Sequence, residues 1–283
     1  MILVTGARGQ LGTDVDFELT RRGIMHLALD IDELDITDSK NVNSVFKVSR
    51  PTCVIHCAAY TAVEAAEDDV NTCMRVNADG TKNLAMACQE MGTEMIYLST
   101  DYVFYDSSDE PLEIDSEKSP ISAYGRSKLA GEEYVQKYVD KHYIVRISWL
   151  FGIKGGNFVK TMLKLAQEKN EVSVVNDQIG SPTYTVDIAV LLCDMALSGK
   201  YGVYHATNEG FCSWAEFADE IMKLNGGQCK VNHIPSELYP TKVLRPKNSR
   251  LSKASLDKGG FSRLPDWKDA LKRFIENLQS ANC

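Results

Sequence analysis

No Cys-x-x-Cys pair occurs among the eight cysteines of this 283-residue chain, and that absence removes the ligand spacing of a structural zinc. Cys53, Cys57, Cys88 and Cys193 lie on apolar stretches, as small buried hydrophobes of a reducing compartment do. Four positions apart on a strand, Cys53 and Cys57 are too distant to bridge easily. No apolar run approaches the ~20 residues that span a bilayer, so no membrane is expected. Cations are in deficit, 31 Lys and Arg against 39 Asp and Glu, for a net charge of −8. The clustered basic residues that release counterions are missing, which argues against nucleic acid as a partner. Repeats and low-complexity tracts are absent. Met1 leads straight into an apolar run, so no signal peptide is expected and a cytoplasmic location is. What is present, 44% hydrophobic and 25% charged residues, is an ordinary globular composition long enough for one large or two small domains.

Directly behind Ile2-Leu3-Val4 comes Thr5-Gly6-Ala7-Arg8-Gly9-Gln10-Leu11-Gly12. An apolar strand, a Gly-x-x-Gly-x-x-Gly turn and a helix together wrap a dinucleotide pyrophosphate. Gly6 permits the tight turn, Gly9 lets the backbone approach the phosphates, and Gly12 lets the helix pack on the sheet. Arg8, Gln10 and Leu11 complete the cofactor turn, where helix N–H groups present partial positive charge. Alone, such a turn is weak evidence. The pattern continues with a helix over 11–22, a closing Gly23 and a strand over 25–29 that ends at Asp30. An acid there grips the adenosine ribose and favours NADH, whereas the Arg8 guanidinium suits the 2′-phosphate of NADPH. Both cofactors therefore stand. A solvated loop acid is the alternative for Asp30. Asp35 and Ile36 are expected to flank the adenine.

Buried-looking strands over 53–59, 95–100 and 143–147 alternate with helices over 39–49 and 77–92. This is the spacing of an α/β, doubly wound parallel sheet, a Rossmann fold. Its ligands bind at the carboxyl ends of strands, which singles out Ala58, Ala59 and Tyr60 for the cofactor and Thr61, Thr100, Asp101 and Trp149 for a substrate. Residues 1–150 are read as the dinucleotide domain and 151–283 as a smaller C-terminal substrate-binding domain. A glycine-rich break at 152–156 separates them, and a helix near 187–197 is expected to return to the sheet. His56 and His205 read as structural histidines.

Tyr124-Gly125-Arg126-Ser127-Lys128 places a phenol and an ammonium one helical turn apart on the same face. Ser122 supplies a helix start. The ammonium is expected to lower the phenol pKa, making Tyr124 an acid that donates a proton to a carbonyl oxygen while hydride reaches carbon. Lys128 would also hold the nicotinamide ribose. Tyr124 is the only one of twelve tyrosines with Lys four positions on. About one such pair arises by chance, so the weight comes from its place after the strand ending in Ser99-Thr100. In this motif order the chain resembles the extended short-chain dehydrogenase/reductase superfamily. That resemblance implies a catalytic group of Thr100, Tyr124 and Lys128, with Thr100 orienting the substrate carbonyl.

Narrower phrases are similar to the dTDP-4-dehydrorhamnose reductase family. They are the glycine turn, Ala58-Ala59-Tyr60-Thr61-Ala62-Val63-Glu64, Ser99-Thr100-Asp101-Tyr102-Val103-Phe104, Arg146-Ile147-Ser148-Trp149-Leu150-Phe151-Gly152, Asp177-Gln178-Ile179-Gly180-Ser181-Pro182-Thr183 and Leu244-Arg245-Pro246-Lys247-Asn248-Ser249. The resemblance implies reduction of the 4-keto group of a dTDP-6-deoxy-L-hexose by NADH or NADPH. Trp149 then offers a flat face to the sugar and Arg245 a forked cation to the pyrophosphate. Asn157 and Gln178 are assigned to substrate on resemblance alone. Relatives also imply Mg2+ at a dimer interface and hence a homodimer, but no acidic cluster names a metal site here. Three departures stand out: Tyr60 where the family often has His, Arg8 in the glycine turn, and Cys283 at the last position. Alternative readings are a reductase of another nucleotide-activated keto sugar and a non-catalytic regulatory subunit on the same fold. A dehydratase is disfavoured because no Glu follows Thr100-Asp101.

Overall fold

The computed structural model describes residues 1–227 and 229–280; Cys283 lies outside them. The first apolar run forms β1 (Ile2–Thr5), buried along its length, and the glycine turn leads into α1 (Gln10–Arg21). That helix stops where Gly23 takes a φ of 65°, a left-handed conformation glycine adopts freely. β2 (His26–Leu29), α2 (Ser39–Ser49) and β3 (Cys53–His56) follow. The Asp38 carboxylate starts α2 by accepting the Lys40 N–H at 2.8 Å. β3 is shorter than the expected 53–59, because the chain leaves the sheet after His56 to make the loop carrying Ala58, Ala59 and Tyr60.

The segment before β4 (Glu94–Thr100) also departs from expectation. It holds α3 (Val63–Asp68), α4 (Val70–Met74), a π-helical stretch Arg75–Gly80 and α5 (Thr81–Met91), not one helix over 77–92. The cause lies with Asn77, whose amide accepts the Tyr60 N–H at 2.8 Å and donates to the Tyr60 carbonyl at 3.0 Å. This clamp ties the wide turn to the loop after β3. Beyond β4 come α6 (Ala123–Tyr138) and β5 (His142–Ile147).

The remaining elements are β6 (Leu150–Phe151), α7 (Phe158–Glu168), β7 (Glu171–Val175), β8 (Ile179–Gly180), β9 (Thr183–Tyr184), α8 (Thr185–Ala196), β10 (Gly202–His205), β11 (Cys212–Ser213), α9 (Trp214–Leu224), β12 (Lys230–Ile234), β13 (Asn248–Ser249), α10 (Ala254–Gly259) and α11 (Trp267–Ser280). The main sheet runs β2-β1-β3-β4-β5-β10, every pair parallel. This is the doubly wound Rossmann sheet. Leu11, Val15 and Leu19 of α1 pack with Ile188 and Leu192 of α8 on one face. Phe46 of α2, Leu84 of α5 and Val135 of α6 pack on the other. Two elements from beyond residue 150, α8 and β10, thus belong to the first layer system. A second core joins Phe151, Met162, Phe217, Trp267 and Phe274 around the parallel pair β7–β12. Among the described residues no helix is long and apolar enough to cross a membrane, and the described cysteines are free, all but Cys57 buried.

Candidate active site

Two cavities meet at the carboxyl ends of the main sheet, and a third lies beside them against the second core. The first, about 400 Å³, is lined by Gly6, Arg8, Gly9, Asp30, Asp35, Ile36, Ala58 and Ala59. Gly6 holds φ at 66° and Gly9 presents bare backbone to the space, a cradle suited to phosphates. Asp30 accepts the Arg8 N–H at 2.7 Å, and the Arg8 guanidinium lies 3.9 Å from Asp30, 2.5 Å from Asp32 and 3.6 Å from Glu33. The two groups expected to decide cofactor choice therefore occupy one corner. Asp35 turns inward, accepting from the Thr37 N–H and hydroxyl. Tyr60 and Gly12 do not line the cavity. Tyr60 packs against the small cluster of Ala66, Cys73 and Ala123, and Gly12 sits under the turn.

The second cavity, about 460 Å³, shares Gly9, Cys57 and Ala59 with the first. Gln10, Leu11, Thr61, Thr100, Asp101, Tyr124, Lys128 and Trp149 line it. Ser122 caps α6 by accepting the Gly125 N–H at 3.0 Å. Gly125 lets that helix press on the next loop, since a Cβ there would fall 2.3 Å from the Tyr102 carbonyl oxygen. Thr100 and Tyr124 thereby face one space. The Thr100 hydroxyl donates to Asp101 Oδ1 at 3.0 Å and accepts the Tyr102 N–H at 3.2 Å.

The electrostatics depart from the expectation of an acidified phenol. Burial pushes the Tyr124 phenol well above its ordinary pKa, the Asp101 charge adds to this, and the Thr100 hydrogen bond opposes it. Lys128 is buried with its ammonium 4.2 Å from the centre of the Tyr97 ring, and burial pulls it down to about 7. Sequence spacing alone could not weigh desolvation against the neighbouring cation. Burial likewise drives His56 and His205 down to about 3. His56 bridges Thr5 and Thr81 at 2.7 and 3.1 Å.

Asp101 carries a separate signature. It is 2% exposed, its Oδ2 has no partner among the described residues, and burial pushes its carboxyl from 3.8 up to about 6. A raised folded-state pKa contributes stability that is present below the unfolded value and lost as pH rises through the folded one. Between about pH 4 and pH 6 the ionising carboxylate thus costs the fold up to about 3 kcal/mol. Asp101→Asn is expected to raise Tm at pH 7.5, with the gain vanishing near pH 4. Thermal melts at the two pH values check this, and an equal gain at both would refute the assignment.

The third cavity, about 350 Å³, is lined by Phe158, Met162, Trp214, Gln178, Ser236, Tyr239, Thr241 and Arg245 among others. It adjoins the second through two pairs. The Trp149 ring stacks on Trp214 with centroids 3.8 Å apart, so one of the faces expected to meet a sugar is covered. The Arg245 charge opposes the rise that burial imposes on the Tyr102 phenol, whose ring meets Tyr124 edge-on at 5.7 Å. Arg245 also pairs with Glu64 at 3.1 Å. Asn157, expected at substrate, is committed elsewhere. Its Nδ2 donates to Gln10 Oε1 and the Gly152 carbonyl, both at 2.8 Å, and its Oδ1 caps α7 at the Lys160 N–H. That chemistry ties the 152–156 loop to the glycine turn.

Tyr102, Cys57 and Trp214 join the site although no sequence pattern marks them as site residues. Tyr102 follows Thr100 and Asp101 directly in the chain, but Trp214 is brought in only by folding. Among the described residues no group of three or more His, Cys, Asp or Glu is placed to hold a metal ion, so nothing here supports Mg2+.

Residues 1–280 match the family described as the RmlD substrate binding domain. The solved dTDP-4-dehydrorhamnose reductase from Clostridium acetobutylicum is 42% identical, with a TM-score of 0.96 over 98% of this chain and 99% of that one. The reductase of the same name from Bacillus anthracis, solved in complex with NADP, is 40% identical, with a TM-score of 0.95 over 98% of both chains. A dTDP-4-keto-6-deoxy-D-glucose reductase from Streptomyces niveus is 37% identical over 280 residues, 98% of this chain and 97% of that protein.

Proposed function

The chain belongs to the RmlD substrate binding domain family, and from that premise we propose that it reduces dTDP-4-dehydro-6-deoxy-L-mannose to dTDP-L-rhamnose with NADH or NADPH. The observation that supports this most is the run of three adjoining cavities, with Thr100, Tyr124 and Lys128 lining the middle one. The first is sized and lined for the adenosine and pyrophosphate of a dinucleotide. The third, with Trp214, Phe158 and Gln178, suits a nucleobase. Arg245 stands between the third cavity and the middle one, where a sugar nucleotide carries its pyrophosphate.

Gly6, Gly9 and Asp30 would hold the cofactor, which supplies hydride to the keto carbon when bound. Tyr124 donates the proton to the keto oxygen. Its raised pKa keeps the phenol in the donating form through neutral pH. Thr100 turns its hydroxyl from Asp101 to the same oxygen and fixes the carbonyl against Tyr124. Lys128 returns a proton to the phenol and holds the nicotinamide ribose. This reading places the enzyme in the cytoplasm, with the nicotinamide cofactors it draws on.

Arg245 acts in binding. Truncation to Ala is expected to raise KM for the nucleotide sugar about 10- to 100-fold with kcat little changed, the signature of a lost charge-assisted contact. An unchanged KM would remove Arg245 from the pyrophosphate. The function itself is tested by absorbance at 340 nm with dTDP-4-dehydrorhamnose and NADH, then NADPH. Rapid oxidation supports the reading and ranks the cofactors. No oxidation with cofactor still bound would overturn it. The Streptomyces niveus relative favours a second substrate, a dTDP-4-keto-6-deoxy-D-hexose, as the comparison arm.

A further inference from the structure

Tyr124, Lys128 and Glu132 stand at successive turns of α6, on one face. The first two line the middle cavity and the third does not. Glu132 is 1% exposed, yet its carboxylate is fully engaged by two strands. The Ser99 hydroxyl of β4 donates to Oε1 at 2.5 Å. Arg146 of β5 donates Nε to Oε1 at 2.8 Å and Nη2 to Oε2 at 2.7 Å. Arg146 is itself buried, with Nη1 donating to the Ile114 carbonyl at 2.9 Å and to His205 Nε2 at 3.2 Å. Ser99 and Arg146 are direct partners in the sheet, one step before the Thr100–Ile147 pair that ends both strands.

We propose that Glu132, clamped by Arg146 and Ser99, is a positioning residue for the Tyr124–Lys128 pair: it locks their helix face to the strand end carrying Thr100, and its charge favours the ammonium form of Lys128. The proposal rests on the catalytic reading of Tyr124 and Lys128 given above. Lys128 is otherwise poorly supported as a cation. The groups facing it are Tyr124 on its own helix, Tyr97 from β4, His56 and Cys57 from β3 and its end, and Cys73 from α4. Burial raises both phenols and both thiols and keeps His56 neutral. Glu132 is the remaining anion in that set, and it is the strongest influence opposing desolvation of the amine. A buried ion pair with no functional task is often replaceable by neutral side chains, so the two roles separate experimentally.

The test replaces the pair together, Glu132→Gln with Arg146→Met, so that no unpaired charge is left inside. Protein with 13C-labelled lysine is titrated by NMR, the Lys128 signal being assigned by its loss in Lys128→Arg. The midpoint for Lys128 is expected to fall by about one pH unit or more, with the basic limb of kcat moving the same way. A folded double variant with an unmoved midpoint overturns the electrostatic role. Glu132→Asp keeps the anion but shortens its reach, so it is expected to lower kcat while the midpoint stays near wild type. Full kcat in that variant overturns the positioning role, whether or not the double variant folds. The midpoint is read without substrate. A wild-type protein that oxidises neither cofactor with dTDP-4-dehydrorhamnose therefore fails the functional reading, while the Lys128 midpoint still decides the electrostatic role.

Discussion

Tyr124→Phe is expected to lower kcat by about 10²- to 10⁴-fold, the range for loss of a positioned general acid, while NADPH binding stays within about twofold of wild type. The substitution removes one hydroxyl and keeps the ring. The edge-on contact with Tyr102 and the packing against Ala66, Cys73 and Ala123 depend on that ring, so the fold should tolerate the change. The hydroxyl has no apolar duty to confuse the result. Burial and the Asp101 charge both hold it protonated, which means that wild-type activity should show no loss from phenol ionisation near neutral pH. The basic limb belongs instead to Lys128, an ammonium below about 7 and a neutral amine above it in the free protein. Cofactor fluorescence and 340 nm turnover, measured on the same preparation, separate binding from chemistry. Retained turnover in the phenylalanine variant would assign the proton to another donor and undo the catalytic reading.

The parts of this site legible from sequence are those made by neighbours in the chain. The glycine turn, the Ser122 cap and the Tyr124–Lys128 spacing each fit within a turn or two of backbone, where local geometry dictates the result. The third cavity has no such signature. Its walls come from α7, β7, α9 and the 236–245 loop, segments that meet only when the second core closes. β10 has no clear sequence signature for a related reason: Gly202–His205 is four residues long and owes its strand state to β5 beside it. In the π-helical stretch before α5, Asn77 reaches back to Tyr60 in the loop after β3, a contact that periodicity does not register. The error over the phenol has the same origin. Sequence spacing displays the nearby cation, but burial and the Asp101 carboxylate become visible only in three dimensions, and they decide the sign.

Gly12→Ala is the substitution expected to damage the fold and cofactor binding together. A Cβ at residue 12 would lie 2.1 Å from the Gly6 carbonyl oxygen and 2.8 Å from both Gly6 C and Ala7 Cα. All three are backbone atoms of the phosphate turn, so no side chain can rotate away to make room. The helix must draw back or the turn must open. Overpacking typically costs about 1–3 kcal/mol, and a clash with unyielding backbone belongs at the top of that range, a fall in Tm of about 6 °C or more for a chain this long. Opening the turn also misaligns the N–H groups meant for the pyrophosphate, so NADPH affinity should drop at least about 100-fold, some 2.8 kcal/mol. The other glycines grade the effect. At Gly9 the only close atom among the described residues is the Gly6 oxygen at 3.1 Å, so alanine there should fold nearly normally and lose affinity by crowding the ligand. At Gly156 nothing among them lies within 4 Å, and alanine should leave stability near wild type. Calorimetric Tm and NADPH titration across the three variants give the comparison. If Gly12→Ala binds NADPH as well as Gly156→Ala does, the turn does not hold the pyrophosphate, and the first cavity loses its assignment as the dinucleotide site.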